Sequence, residues 1–310
     1  MQSNKTETTL TGLALVLALG CQAQAPAPET SEEAAPPAKT ATVVTDVGFS
    51  TPESILHDVQ ADLYLVSQIN GEPLDADGDG FISRVSPDGT VAELRWIDGR
   101  AEGVSLSAPK GMALVGDRLY VTDIDSVRIF DRVSGEPKGE IAVDGATFLN
   151  DLVAAPQGGV YVSDTGMKAG ESGFEPSGSA AVYHISTDSK LTAVLKDPEM
   201  AGANGLAVDG DRLLVVTFAG NQLYAIKDGE RVVLAELPAG GLDGIVQLPD
   251  GRWAISSWEG RAVYAGPLEG PYDVLVSDIE SPADITVDTV RRALIIPSFN
   301  GNEVVIHPLK

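Results

Sequence analysis

Six side chains stand out by their type and by their place at the head of a repeated pattern: Glu53, Lys110, Asn150, Asn204, Asp243 and Asp284. Each opens a short, mostly apolar run, as in Asn204-Gly-Leu-Ala or Asp243-Gly-Ile-Val. Glu53 and Asp243 offer carboxylates, and Asn150 and Asn204 offer neutral amide oxygens. Hard oxygen donors with no thiol or imidazole among them suit Ca2+ better than zinc or copper. Lys110 and Asp284 add one charge of each sign, so two negative charges stay uncompensated if the six meet. In a confined space that excess demands either a bound divalent cation or protonation.

For six residues so far apart to meet, the elements behind them must be arranged about an axis. The runs recur at intervals of about 40 residues, or that length with an insertion, which is the period of a four-stranded propeller blade. The unit is clearest after Asn204. An inner strand ending at Val208 leads through a Gly210-Asp-Arg turn to strands over Leu213–Phe218, Gln222–Ile226 and Val232–Leu237. These runs are short, rich in β-branched and aromatic residues, and bounded by Gly, Asp and Pro. No stretch carries a sustained helical period. The pattern predicts an all-β fold, a six-bladed β-propeller over residues 41–310.

The last repeat has only three strands, over Ile285–Val287, Ala293–Ile296 and Glu303–Ile306, while Ala41–Val47 is a spare strand ahead of the first. Pairing the spare strand into the last blade closes the ring and leaves no open seam. In an up-and-down blade the start of the inner strand shares a face with the loop between the second and third strands. Two such loops are long, Asn70–Gly80 and Gly166–Ser179, and both should rim the face of the six residues. The second strands end on that face too. Asp123, Asp164, Phe218, Trp258 and Phe299 should therefore wall a pocket there, with Phe148, giving one apolar side suited to a substrate with a hydrophobic part.

Residues 1–40 fall outside this repeat. Leu10–Gly20 is an apolar run of signal-peptide length, too short to span a bilayer. It ends at Leu17-Ala-Leu-Gly-Cys21, and Cys21 is the single cysteine of the chain. That stretch resembles a bacterial lipobox, in which the cysteine is lipidated; a plain cleaved signal with an idle cysteine is the alternative. Residues 22–40 are rich in Ala, Pro and Glu and read as an extended tether. The expectation is an exported protein, periplasmic or cell-surface, touching a membrane only through Cys21. No intramolecular disulfide can form. A formal charge of −24 and a pI near 4.3 argue against nucleic acid and the anionic surface of a bilayer as partners.

The contexts Leu149-Asn150-Asp151, Ala203-Asn204-Gly205 and Leu242-Asp243-Gly244, with Glu53, make residues 41–310 resemble the SMP-30/gluconolactonase family, near the paraoxonase and diisopropylfluorophosphatase propellers. The resemblance implies a channel Ca2+ held by Glu53, Asn150, Asn204 and Asp243, with Asn150 acting in some members through water or substrate. It implies hydrolysis of lactones, aryl esters or organophosphates, with Asp243 as base or nucleophile and Glu53 as ligand and orienting group. It leaves Lys110, Phe148, Asp284, Phe218, Trp258 and Phe299 to meet the substrate.

The chain departs from the family pattern in two places. Phe148 stands where sugar-lactonase members have an arginine, and paraoxonase-like members use a histidine pair. His57, His184 and His307 read as structural or surface residues. Lys110 is also unexpected, and either contacts substrate, pairs with Asp284 or crowds out the metal. Asp75-Ala-Asp77-Gly-Asp79-Gly80 resembles the start of an EF-hand loop, but Ser86 fills its twelfth position, so a polar hairpin loop is expected. A rival of another class is a non-catalytic NHL-like binding module using the same face.

Overall fold

The computed structural model describes residues 40–310 apart from Ser172 and Ala201. The expected export signal, Cys21 and all but the last residue of the expected tether lie outside the described residues.

Six four-stranded antiparallel sheets follow one another as blades. Their inner strands are Pro52–Asp58, Pro109–Val115, Leu149–Ala154, Ala203–Asp209, Leu242–Gln247 and Thr286–Asp288. The sixth blade closes as expected. Thr42–Val44 pairs with Glu303–Pro308, setting Val43 opposite Val305. The spare strand is shorter than Ala41–Val47, because only Val44 of its three paired residues is buried in the core.

Apolar side chains alternate with the strand period and meet between neighbouring blades, giving one core cluster per blade interface. Val182 of blade three, for instance, packs with Leu206, Val215 and Tyr224 of blade four. Closing the ring supplies the sixth cluster, in which Val44 and Ile306 join Ile55 and Val66 of blade one. Each fully buried branched side chain contributes about 1.5–3 kcal/mol.

The inner strands share one irregularity. In blades one to five the pairing with the second strand skips, so two inner residues oppose one partner. These pairs are Glu53-Ser54, Lys110-Gly111, Asn150-Asp151, Asn204-Gly205 and Asp243-Gly244. Each is a β-bulge, and its first member is a residue of the predicted ring. A bulge breaks the ladder and re-aims a side chain. Its extra backbone groups need other partners. In four blades the single opposing residue is a hydroxyl, Ser67, Thr122, Ser163 or Ser256. Ser67 Oγ accepts from Ser54 N at 2.9 Å, Ser163 Oγ from Asp151 N at 2.9 Å, and Ser256 Oγ from Gly244 N at 2.8 Å. Thr122 Oγ1 donates to Asn150 O, and Ser256 Oγ to Ala283 O at 2.8 Å, tying each bulge to the next blade.

The second bulge residue faces that next blade, and in three blades it is glycine for steric reasons. A Cβ on Gly205 would stand 2.1 Å from Asp243 O, and one on Gly111 would stand 2.5 Å from Asp151 Cα. Gly205→Ala therefore forces backbone against backbone at the ring. It should destabilise the fold by about 1–3 kcal/mol. Gly71→Ala, whose Cβ meets only Asp77 Oδ2 at 3.7 Å, should be close to neutral. Denaturant unfolding of both variants checks this.

Candidate functional site

The five bulges deliver Glu53, Lys110, Asn150, Asn204 and Asp243 to the floor of one cavity of about 300 Å³. Phe148, Phe218, Trp258 and Phe299 wall it as expected, together with Ile69, Thr165 and Met167. Both long loops reach its rim. Glu72 and Pro73 come from the first, and Met167 and Phe174 from the second. The second loop is more than a loop: Met167–Gly170 pairs with Gly173–Pro176 as a small hairpin of its own. Hollows of about 350 and 380 Å³ open elsewhere, beside Gln157 and Lys227 and beside Arg292 and His307, but neither gathers buried carboxylates.

Three expectations need correction. Asp123 and Asp164 do not line the cavity: backbone N–H groups claim Oδ1 of each, and Asp164 Oδ2 is buried without a partner away from the cavity lining. Asp123 accepts from Ser107 N and Ala108 N and pairs with Arg128 Nε at 2.9 Å. Asp164 accepts from Phe148 N and Gly166 N at 3.0 Å each, which fixes the approach to blade three's inner strand. Asp284 is the third. It precedes its strand, bridges in parallel to Ser54, and accepts from Ser54 Oγ at 2.5 Å, outside the cavity lining.

The hydrogen bonds around the floor leave particular oxygens free. Asn204 Nδ2 donates to Leu242 O at 3.4 Å, and Asn204 Oδ1 is buried without a partner. Asn150 Nδ2 donates to Thr165 Oγ1 at 3.2 Å, and that hydroxyl donates to Ala203 O at 2.9 Å. Trp258 Nε1 donates to Asp243 Oδ2 at 2.7 Å, while Asp243 Oδ1 has no partner. Glu53 Oε2 is buried and unpartnered as well. Buried polar atoms are nearly always paired in native proteins. Three unpaired oxygens, from three of the four expected ligands, fit a cation held by hard donors. Among the described residues no three histidine, cysteine or acidic side chains gather as a metal cage. The set here is two carboxylates and two amides, a composition suited to Ca2+.

Electrostatics point the same way. Burial, then the neighbouring Asp243 and Asp284, push the Glu53 carboxyl well above its ordinary range, with Lys110 opposing. Asp243 is raised by burial and by Asp284. Burial lowers Lys110 to about 8 against the pull of Glu53 and Asp123. The Lys110 ammonium donates to Ala108 O at 2.9 Å and lies 4.8 Å from the Phe148 ring centre.

Two contributors escaped the sequence reading. Trp258 orients Asp243 as well as walling the cavity. Asp151, in the position that is glycine in three other blades, is a further buried carboxylate; it accepts from Leu206 N and Leu152 N at 2.6 Å each. Burial and Asp284 raise it well above its ordinary range. The bulge pairing was the signal for Asp151, since it follows Asn150 where blades two, four and five have glycine.

The histidines lie away from the cavity lining. His184 Nε2 bonds Gly158 O, His307 sits beside Arg292, and His57 stands edge-on to Tyr64 between Asp62 and Asp288. The Asp75–Gly80 loop is a polar loop, tied by Asn70 Nδ2 to Asp79 O and by Arg100 to the Asp79 carboxylate.

The chain matches no protein-family profile and no curated protein. Its fold is shared with many solved structures. One is a structural-genomics target with a provisional gluconolactonase assignment, at 18% identity and TM-score 0.67, covering 89% of this chain and 95% of that one. A gluconolactonase from Xanthomonas campestris shares 20% identity at TM-score 0.58 over 84% and 95% of the two chains. Virginiamycin B lyase from Staphylococcus aureus shares 14% identity at TM-score 0.59 over 87% and 99%; a histidine-to-alanine variant of that lyase is described as catalytically inactive. The resemblance to gluconolactonase propellers thus holds for the fold, and the chemistry must be argued from the site.

Asp284 gives a pH signature. It keeps some solvent contact, yet burial still raises it from 3.8 to about 7, with Ser54 and Ile285 opposing. The unfolded chain releases this proton near the ordinary value and the folded chain holds it longer. The folded state therefore binds more protons in that window, and stability falls as pH rises through it. In chelator-treated protein, Asp284→Asn should flatten this decline between 3.8 and about 7. Thermal unfolding at several pH values measures it, and an unchanged slope would remove Asp284 from the account.

Proposed function

We propose that the chain is a calcium-dependent hydrolase of lactones or esters, with phosphotriesters as a related substrate class. The observation that carries this reading is that Glu53 Oε2, Asn204 Oδ1 and Asp243 Oδ1 are buried without partners on three residues that line one cavity. Glu53, Asn204 and Asp243 would hold the cation, with Asn150 beside them. When bound, calcium supplies Lewis-acid polarisation of a carbonyl or phosphoryl oxygen.

The chain's own residues account for the remaining work. Trp258 fixes the orientation of the Asp243 carboxylate through Oδ2, which leaves Oδ1 for the cation and the second lone pair of Oδ2 as the basic site. A water placed there attacks the carbonyl carbon: the new C–O bond forms, its proton passes to Asp243, and the carbonyl π electrons move to oxygen. Collapse of that intermediate breaks the ring or ester C–O bond, and Asp243 returns the proton to the departing alkoxide. The product is a hydroxy acid, or an acid and an alcohol. Asn150, held in place by Thr165, orients the substrate end, and the aromatic wall excludes bulk water.

A lyase reading has less support. The neighbouring lyase depends on a histidine for activity, whereas none of His57, His184 and His307 lines this cavity. The apolar run ending at Cys21 supports placing the enzyme outside the cytoplasm, tethered by a lipid on that cysteine.

A panel of lactones, aryl esters and phosphotriesters, assayed with calcium and with chelator, tests the reading. Turnover should appear with calcium alone. Asp243→Asn should lower kcat/KM by roughly 10²–10⁴-fold, while His184→Ala leaves it unchanged. No metal in the purified protein and no turnover of any panel member would sink the hydrolase and favour a binding module.

Lys110 gives a second test. Its ammonium already partly offsets Glu53, so it competes with the cation for the same negative charge. Lys110→Met should tighten calcium binding by about tenfold, a gain of about 1.4 kcal/mol, in a calorimetric titration. Weaker binding in the variant would instead assign Lys110 to support of the metal set.

A further inference from the structure

Above its polar floor the cavity offers almost nothing for a hydroxyl to bond. Thr165 Oγ1 is already committed to Ala203 O and Asn150 Nδ2. Glu72 lies out at the exposed rim. The rest of the wall is hydrocarbon or aromatic, and it is so on more sides than the sequence foretold. Phe218 meets Trp258 edge-on at 5.2 Å, and Trp258 meets Phe299 at 5.1 Å, forming a continuous row across blades four to six. On the blade-three side Phe148 is met at 5.6 Å by Phe174 from the hairpin.

Phe174 is the anomaly. It is 48% exposed, and among the large apolar side chains that are exposed in the described residues it is the single aromatic; the others are valines. The hairpin around it is otherwise dressed for water, with Lys168 and Glu175 paired at 3.2 Å across its strands. A half-exposed phenyl group at a cavity mouth leaves apolar area uncovered that a ligand can cover. The neighbouring Phe148 is nine-tenths buried, so the pair presents one buried ring and one waiting ring.

Resting on the hydrolase reading for its carbonyl group, we infer that the substrate carries an aryl or alkyl substituent that packs among these rings, and that Phe174 is a specificity-determining residue. The wall rejects polyhydroxylated substrates for the complementary reason. Each ring hydroxyl brought against it loses its water and gains no partner, a penalty that accumulates per group. Phe148 supplies apolar surface at a position where a donor to hydroxyls would serve a sugar. The chain thus has the fold of gluconolactonase structures with a cavity wall that disfavours gluconolactone.

Two measurements test this, one of them independent of turnover. In calorimetry with the calcium-loaded protein, a 2-heptylcyclopentanone, which has a carbonyl but no bond to hydrolyse, should bind at least about tenfold more tightly than cyclopentanone. In kinetics, a γ-lactone with an alkyl side chain should exceed both γ-butyrolactone and gluconolactone in kcat/KM. Phe174→Ser should reduce the alkyl preference in both assays by about tenfold, and Phe174→Leu, which keeps apolar bulk on an exposed strand, should reduce it less. Ketone selectivity without turnover of any lactone would sink the hydrolase and keep this assignment. Turnover that favours gluconolactone, or equal selectivity in Phe174→Ser and the parent, would overturn the assignment and leave the hydrolase standing.

Discussion

The structure depends on a steric constraint repeated at three places, the packing of one blade's bulge against the next blade's backbone. A regular inner strand would alternate its side chains between the two faces of its sheet, into the neighbouring blades, and present nothing along the axis. The extra residue breaks that alternation and swings Glu53, Lys110, Asn150, Asn204 and Asp243 inward. The same displacement brings the following residue against its neighbour so closely that Gly111, Gly205 and Gly244 have no room for a side chain. Fold closure and site construction are thus one event: the contact that lets six blades close is the contact that aims the ring.

That geometry has an electrostatic consequence. Carboxylates on and beside the inner strands are buried together. Glu53, Asp243, Asp151 and Asp284 all sit above their ordinary acidity range with burial as the leading cause. Their stabilisation is unequal. Asp151 receives two backbone N–H groups and Asp284 one Ser54 hydroxyl, so both are supported by the fold itself. Asp243 has the Trp258 indole on one oxygen only, and Glu53 Oε2 has nothing. The division separates carboxylates that hold blades together from carboxylates left for something else. Lys110 cannot settle the difference alone, because it contributes one positive charge, itself weakened by burial.

Much of this was legible in the sequence. The repeat, the strand count and the closing strand follow from short β-branched runs at a fixed interval, and the ring residues follow from the first position of each run. The approximate cavity wall follows too, since second strands in an up-and-down blade end on the ring face. What escaped depended on register and hydrogen bonding between residues far apart in sequence. Asp123 and Asp164 hold the register of Thr217 in blade four, one residue short of Phe218, and their carboxylates are claimed by the backbone N–H groups that the loop presents. Asp284 heads the sixth run as the other residues head theirs, but the sixth inner strand begins at Thr286 and carries no bulge there. The pairing of Trp258 with Asp243 joins two residues whose types are unremarkable singly, and only the fold puts them 2.7 Å apart.

The remaining feature is the contrast between floor and wall. Charged and amide groups lie at the bottom of the cavity, and aromatic and aliphatic side chains surround them almost to the rim. Charge–charge interactions weaken in proportion to the local dielectric, so an apolar wall makes the floor's electrostatics stronger once bulk water is displaced. A substrate's apolar substituent does that displacing. In the proposed hydrolase the group that fills the wall is also the group that sharpens the field at the floor, and binding energy gained at Phe174, Trp258 and Phe299 would be spent where Asp243 meets the reacting bond. A polyhydroxylated substrate carries its own water-like groups into the same space and keeps the dielectric high. In the proposed hydrolase, selectivity for apolar substituents and the reactivity of the floor would be two consequences of one wall.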